Sequence, residues 1–264
     1  MDFIRIKPKK TDFITSLSHT LKALVFEDFK SSGANLTGGI VYRFLRPILF
    51  TFLIALIIGM LRGSYTYLEA IKYLFINFSF FFFFLEFVSS SALLTRKMNL
   101  LNLPRVNFFS LIFSSPLKHL SIYVPELVFI FLLLWALEIQ YDLYYLVGSF
   151  IFIVILGVIY NINMALILFR NNALIELHAF FQRALLFISA VFYSLDIIPE
   201  KFLWFFLINP LVHVMERVRF SMDYPGSEVY FSDSYLVWFI LIGLLIFPLL
   251  YYFRIELLHY RRFK

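Results

Sequence analysis

Apolar positions gather into long runs separated by short polar links. The runs fall at about residues 47–61 (starting earlier, near Val41), 73–94, 111–137, 143–169, 173–193 and 235–253. Runs near 20 residues match the length of a helix that crosses a hydrocarbon core. The second contains five consecutive phenylalanines, Phe80 to Phe84. Ahead of the runs, Phe13, Ile14, Leu17, Leu21, Leu24, Val25 and Phe29 share one helical face, while Ser16, His19, Lys22 and Asp28 lie largely elsewhere. That spacing predicts an amphipathic helix on the membrane surface. Thr11 or Asp12 suits its start and Gly33 its end.

One stretch breaks this rhythm. From Tyr193 to Gly226 the chain reads YSLDIIPEKFLWFFLINPLVHVMERVRFSMDYPG. Phe202 to Ile208 is apolar, Asn209-Pro210 interrupts it, and Leu211 to Val214 resumes it. Each half is too short to span, and the whole is too apolar for a solvated loop. Proline disfavours helix at the preceding residue and lacks a backbone donor, so the break is placed at Asn209-Pro210. Two short helices that dip into the membrane and return satisfy these constraints. Such backbone survives only where protein or a water-filled cavity surrounds it, so a polar path is expected here.

The predicted fold is therefore an all-α membrane protein. It has six transmembrane helices, an N-terminal amphipathic interfacial helix, and re-entrant short helices between spans five and six. Residues 1–264 form one transmembrane domain: 1–40 a cytoplasmic tail and interfacial helix, 41–253 the bundle, and 254–264 a second cytoplasmic tail.

Composition supports the class. The chain is 61% hydrophobic, 21% aromatic and 15% charged, with a mean hydropathy of +0.84. Soluble domains do not reach these values. No cysteine is present, which excludes disulfides and thiolate metal sites. The net charge of +6 is expected to reflect cytoplasmic loops and not nucleic-acid binding. No compact apolar core follows the basic start within the first 40 residues, so no cleavable signal peptide is expected. With both termini cytoplasmic, 18 Lys and Arg fall on that side, including those from Arg96 to Lys118 and the pair Arg170 and Arg183, against 5 outside. This bias orients the protein.

Candidate chemistry is sparse. Gly33 to Gly39 reads GANLTGG, with Gly39 where a phosphate-binding loop needs lysine and Ile40 where it needs Ser or Thr. It reads as a turn, so the chain is not expected to hydrolyse ATP itself. The five histidines are scattered without metal-ligand spacing, and no nucleophile–base arrangement stands out. Arg43 and Arg46, at the inner edge of the first span, fit either snorkelling to headgroups or capture of an anionic lipid-linked substrate. Glu86 and Glu126 lie within spans; Glu126 follows Pro125 and suits backbone groups freed by a kink. In the link Thr95 to Asn107, Met98, Leu100, Leu101 and Leu103 are too apolar for a solvated loop and predict a partner contact. Phe192, Tyr193, Trp204 and Phe206 could offer flat faces to sugar rings, although packing accounts for most aromatics.

The Tyr193 to Gly226 stretch resembles the signature of type-two ABC-exporter permeases, and more closely the inner-membrane permease of Gram-negative capsular polysaccharide exporters. The resemblance is carried by Ile198-Pro199, Phe202 to Phe206, Asn209-Pro210-Leu211-Val212-His213-Val214, Glu216, Arg219 and Pro225-Gly226. Asn102 to Pro104 in the cytoplasmic link and the basic C-terminus extend it. Two features depart from the family pattern: Phe26 to Ser32 carries fewer positive charges, and Arg46-Pro47 replaces the usual Glu-Pro.

The resemblance implies a bacterial inner-membrane homodimer with two separate ABC ATPase subunits, which bind ATP and magnesium while this chain binds no cofactor. The ATPases would dock through Met98, Leu100, Leu101, Asn102, Leu103, Pro104 and Arg105. A lipid-linked acidic polysaccharide would enter near Arg43 and Arg46 and pass the first and fifth spans. The outer gate would comprise Tyr193, Pro199, Trp204, Phe206, Asn209, Pro210, His213 and Glu216. A periplasmic export partner fits this scheme, and membrane lipid surrounds it. The alternatives are an exporter of O-antigen, teichoic acid or a small drug, and, in a different class, a membrane enzyme acting on lipid-linked sugars. An enzyme of that kind would need paired acidic residues at a membrane face.

Overall fold

A computed structural model describes residues 67–97, 108–136, 138–168, 171–223, 227 and 230–260, together with 45, 48–54 and 56–57. The described residues are helical, apart from turns and links. Residues 48–54 and 56–57 are helical within the first predicted span, and most of their side chains are exposed apolar groups. The long elements that follow are α1 (Tyr67–Lys97), α2 (Phe108–Ala136), α3 (Leu143–Leu168) and α4 (Asn172–Ile188). A 3-10 turn (Leu195–Ile197), two short helices, α5 (Glu200–Leu207) and α6 (Pro210–Phe220), and the last helix α7 (Asp233–Tyr260) complete the order.

Among the described residues three helices are long and apolar enough to cross a membrane: Leu74–Ala92 within α1, Leu143–Leu168, and Asp233–Tyr252 within α7. In α2 the apolar part is Leu127–Ala136. The fifth predicted span, 173–193, is corrected: α4 stops at Ile188 after 17 residues. Ala190 adopts a left-handed φ of 51°, which ends helical propagation, and Val191 to Tyr193 belong to the following turn. The charge tally is also corrected. Arg183 and Lys118, counted with cytoplasmic links, lie inside α4 and α2. Removing them leaves the sense of the bias unchanged.

α1 is the centre of the bundle. It packs most extensively on α3, and also on α2, α4 and α6, while α3 in turn carries α6 and α7. Phe80 to Phe84 are all buried, although five consecutive residues point around more than a full helical turn. Phe83 stacks on Phe150 with ring centroids 5.1 Å apart, and Phe84 meets Tyr160 edge-on at 5.9 Å. α3 approaches α1 closely at Gly157, where a Cβ atom would stand 2.8 Å from the Phe87 ring. Asn161 Nδ2 then donates to the Phe87 carbonyl (2.9 Å) and to Ser90 Oγ. Asn163 Nδ2 donates to the Gly243 carbonyl of α7 (3.0 Å). In a bilayer, small residues and side-chain amides are what hold helices together, because lipid is as apolar as leucine.

The ends of α3 and α4 are capped by their own sequence. Asp142 Oδ1 accepts from the Tyr144 amide at 2.8 Å, and Asn171 Oδ1 accepts from the Leu174 amide at 3.2 Å. The Asp142 amide also donates to the Ser221 carbonyl (2.6 Å), fastening the end of α6 to the start of α3.

Candidate functional site

The site is built on the α5–α6 pair. α5 ends at Leu207 and α6 starts at Pro210, so the break is Ile208-Asn209, one position ahead of the Asn209-Pro210 interruption read from the sequence, and Pro210 is the first residue of α6. Proline suits this first position because its missing donor would have no partner there. Asn209 caps α6, with Oδ1 accepting from the Leu211 amide (3.1 Å). Its Nδ2 donates to the Ile188 carbonyl (3.3 Å) and to Ser189 Oγ (3.1 Å). One side chain therefore starts α6 and holds the C-terminal end of α4.

α6 carries four polar or charged groups in seven residues, yet every residue from Leu211 to Arg219 is buried. His213, Arg217 and Arg219 each have a partner outside the helix and Glu216 pairs with Arg219, while Glu216 Oε2 and Arg217 Nε have no hydrogen-bond partner among the described residues. His213 Nε2 donates to the Leu207 carbonyl (2.8 Å), and His213 Nδ1 accepts from the Ser232 amide (3.1 Å). Both ring nitrogens are used by the neutral form, and burial lowers the His213 pKa. The ring also lies against Tyr235, centroids 4.5 Å apart, whose hydroxyl donates to the Ile208 carbonyl.

Arg219 is the main cross-link. Its guanidinium pairs with Glu216 one turn back and donates to the Ala190 carbonyl and, at 2.7 Å, to the Tyr193 carbonyl. With the Asn77 amide turned to present its oxygen, Arg219 Nε also donates to α1 at 3.1 Å. The strained turn after α4 is thus held by the same cation that holds α6 to α1. Glu216 is 0% exposed; burial raises its pKa, Arg219 pulls it back, and the Asp196 carboxylate raises it again. Burial pushes the Tyr193 hydroxyl up to about 12, with Arg219 acting in the opposite sense.

Arg217 occupies an aromatic box. Its guanidinium lies 4.9 Å from the Tyr145 ring centroid, 5.4 Å from Phe152, 5.7 Å from Tyr144 and 6.0 Å from Phe231, and it pairs with Asp233 at the start of α7. The box opens on Gly148, where a Cβ atom would stand 2.6 Å from Arg217 Nη2. Arginine over ring faces gains from the ring quadrupole, more so when desolvated.

A second polar cluster lies where α1, α3 and α4 meet. His178 Nδ1 faces Gln182 Nε2 at 3.2 Å, and His178 Nε2 faces Ser91 Oγ at 3.4 Å. Thr95 Oγ1 bonds the Ser91 carbonyl (2.9 Å) and reaches the Ala165 carbonyl (3.3 Å).

The gate residues named from sequence divide into two groups. Asn209, Pro210, His213, Glu216 and Tyr193 come together in the α5–α6 junction, where the Tyr193 hydroxyl donates to the Phe187 carbonyl. Pro199 and Trp204 are exposed, and Phe206 is half-buried with its ring edge-on to Tyr193. His213 and Glu216, expected in an outer gate, are buried and, with the buried Arg217, tie the chain to itself. Glu86 is half-buried on α1. Arg43, Arg46, the segment Met98 to Arg105, the amphipathic 13–29 face and the Glu126 side chain lie outside the described residues. Sequence reasoning missed Asn77 and Ser189. Asn77 carried a signal, an amide inside an apolar run, whereas Ser189 carried none.

No protein-family model matches the chain, and no curated protein matches it. Among the described residues no group of three or more His, Asp or Glu is arranged to hold a metal ion. The arrangement is mechanical: two buried arginines and one asparagine fasten a pair of short helices to α1 and to the ends of α3, α4 and α7.

Proposed function

We propose that the chain is the membrane-spanning permease subunit of an ATP-driven exporter of lipid-linked capsular polysaccharide. It acts as a homodimer in the bacterial inner membrane, with two separate ATPase subunits. On this reading there are six spans with both termini cytoplasmic, and α5 and α6 form a re-entrant pair on the outer side. The observation that carries the reading is this pair. It bears the Asn209 to Val214 motif, has its break at Ile208-Asn209 just ahead of Pro210, and packs on α1, α3 and α7 through α6. The candidate multi-pass character, three long apolar helices, supports it. Helices of 8 and 11 residues are too short to span. The chain then returns to the side it left. The ATPases dock on the 98–105 segment, and closure of the ATPases moves the helices that flank it.

The test is reconstitution with an ABC ATPase encoded beside this chain. The purified chain alone is expected to hydrolyse no ATP, and the complex is expected to carry surface glycan export. Replacing Leu100, Leu101 and Leu103 with Asp should abolish co-purification. An intact complex in that variant would place the docking surface elsewhere. Topology has its own check in this cysteine-free chain. Lys201→Cys, in the first turn of α5, and Asp223→Cys, just after α6, both at exposed positions, should react with an impermeant reagent from outside. Reaction of either only from the cytoplasm overturns the re-entrant arrangement.

A further inference from the structure

The exposed faces of three helices change character at one end of the bundle. On α2 the exposed stripe runs Val128, Leu132, Trp135; on α3 it runs Ile151, Val147, Tyr144; on α7 it runs Leu245, Leu241, Trp238. Steps of three and four residues keep each set on one helical face. Each stripe passes from aliphatic side chains to a ring that bears a polar group, within two turns of its helix end. These ends are neighbours. The Phe131 ring of α2 meets Tyr141, just ahead of α3, at 6.0 Å, and the Arg217 guanidinium touches Tyr144 and pairs with Asp233 at the start of α7. α5 reaches the same level, because the Tyr235 hydroxyl, one turn from Trp238, donates to the Ile208 carbonyl. Of the short pair, α6 is buried from Leu211 to Arg219, whereas α5 exposes Phe202, Trp204 and Phe205 and holds Lys201 Nζ 5.0 Å from the Phe202 ring centroid. All three tryptophans of the chain therefore gather here, 62–76% exposed, with Tyr144 at 73%. Hydrocarbon offers an indole N–H no acceptor and water does not favour the ring, so such side chains settle in the headgroup layer. The exposed charges of this end stand in its turns and at helix starts. They are five carboxylates, Glu138, Asp142, Asp196, Glu200 and Asp223, against the single ammonium of Lys201 among the described residues.

We infer that this aromatic level is a lipid-docking surface, in which α5 lies within the headgroup layer as an interfacial helix, and that the headgroups it fits are zwitterionic phospholipids whose ammonium faces the carboxylate collar. The rings set the depth and the collar sets the headgroup. An anionic headgroup at the same depth would meet like charge, and Lys201, drawn over Phe202, leaves the collar net negative. An amphipathic helix at this boundary buries its apolar face by about 5–10 Å, which suits the exposed rings of α5. α5 then rests on the bilayer while α6, buried against α1, α3 and α7, holds it to the bundle. The inference rests on the proposed function only in that α3 and α7 cross a bilayer. Its test uses neither ATPase nor export, so the two can fail separately.

The test is tryptophan quenching in reconstituted vesicles. Three single-tryptophan proteins keep Trp135, Trp204 or Trp238 and carry Phe at the other two positions. Phosphatidylcholine brominated near the glycerol end of its chains should quench each about twofold more than the same lipid brominated near the methyl end, since each hydrocarbon leaflet is about 15 Å deep. Leu245→Trp, in a chain with Phe at all three native positions, lies about 10 Å further along α7 than Trp238 and should show the opposite order. For the headgroup, brominated phosphatidylethanolamine and brominated phosphatidylglycerol are compared at equal fractions in phosphatidylcholine. At low salt the ethanolamine lipid should quench Trp204 about twofold more, and Glu200→Gln with Asp196→Asn should bring the two lipids near parity. Stronger quenching of Trp204 by the deep label places α5 in hydrocarbon and overturns its interfacial position, while leaving the crossings of α3 and α7 standing. Quenching of Trp204 by neither label puts water or a second copy of the chain over α5 and overturns the docking surface. Quenching of none of the four tryptophans overturns this inference together with the membrane reading. Equal quenching by both headgroups, with depth as expected, overturns the role of the collar.

Discussion

Replacing Arg219 by methionine removes the cation but keeps much of the side-chain length. The substitution leaves Glu216 buried without its partner and frees the carbonyls of Ala190 and Tyr193 and the amide of Asn77. Removing one member of a buried ion pair costs about 3–5 kcal/mol. For a chain of this size, 1 kcal/mol corresponds to about 2–4 °C in melting temperature. Melting in detergent, followed by tryptophan fluorescence, should therefore fall by about 6–20 °C. The loss has a defined pH dependence. Burial already raises the Glu216 pKa, and removing Arg219 takes away the group that lowers it. A carboxyl whose folded pKa lies above its unfolded value makes the fold less stable as pH rises through the folded pKa. The variant should thus be closer to wild type at pH 5 than at pH 8. Arg219→Met combined with Glu216→Leu should recover part of the loss, because the uncompensated charge is gone while the two carbonyls remain unpaired. A single variant melting within about 1 °C of wild type, or a double variant no better than the single, would refute this account of the junction.

Two further outcomes follow from neighbouring groups. Gly148→Ala should push the Arg217 guanidinium out of its aromatic box and cost about 2 kcal/mol; in an Arg217→Gln background the same change should cost far less, which a double-mutant cycle measures. His213 is held neutral by bonds at both nitrogens, and its pKa is lowered from 6.5 by burial. Its contribution is full above pH 6.5 and declines as pH falls below it, so wild type should lose more melting temperature between pH 7.5 and 5.5 than His213→Gln does; equal losses would show that His213 does not titrate on unfolding.

The parts of this fold legible in the sequence are those that a local rule determines. Apolar runs mark the long helices, and Asn209-Pro210 marks the start of α6 because an amide cap and a proline need no distant help. The end of α4 was not legible. Residues 184–193 continue apolar without proline or glycine, and the helix stops where Asn209, 20 residues later, reaches Ser189 and Arg219 reaches Ala190. The same holds for the α6 polar groups. Arg217 and Arg219 look like surface charges on a short helix until Tyr145 and Asp233 are brought to the first and Asn77 to the second. Arg183 is counted with a cytoplasmic link although the apolar run 173–193 already encloses it, and α4 runs past it on both sides.

The five buried phenylalanines of α1 separate two stages of the protein's biogenesis. On the proposed multi-pass reading, α1 enters the membrane before α3 exists, its rings rest in lipid, and each favours insertion by a few tenths of a kcal/mol. Later they exchange lipid for protein, a step with little hydrophobic gain, in which shape and ring geometry decide the partner. The stacking of Phe83 on Phe150 is then a selection made after insertion is complete. Leucine at these positions would insert equally well but would choose its neighbours less strictly. Defects there should yield chains that reach the membrane in normal amounts and are afterwards cleared as unassembled.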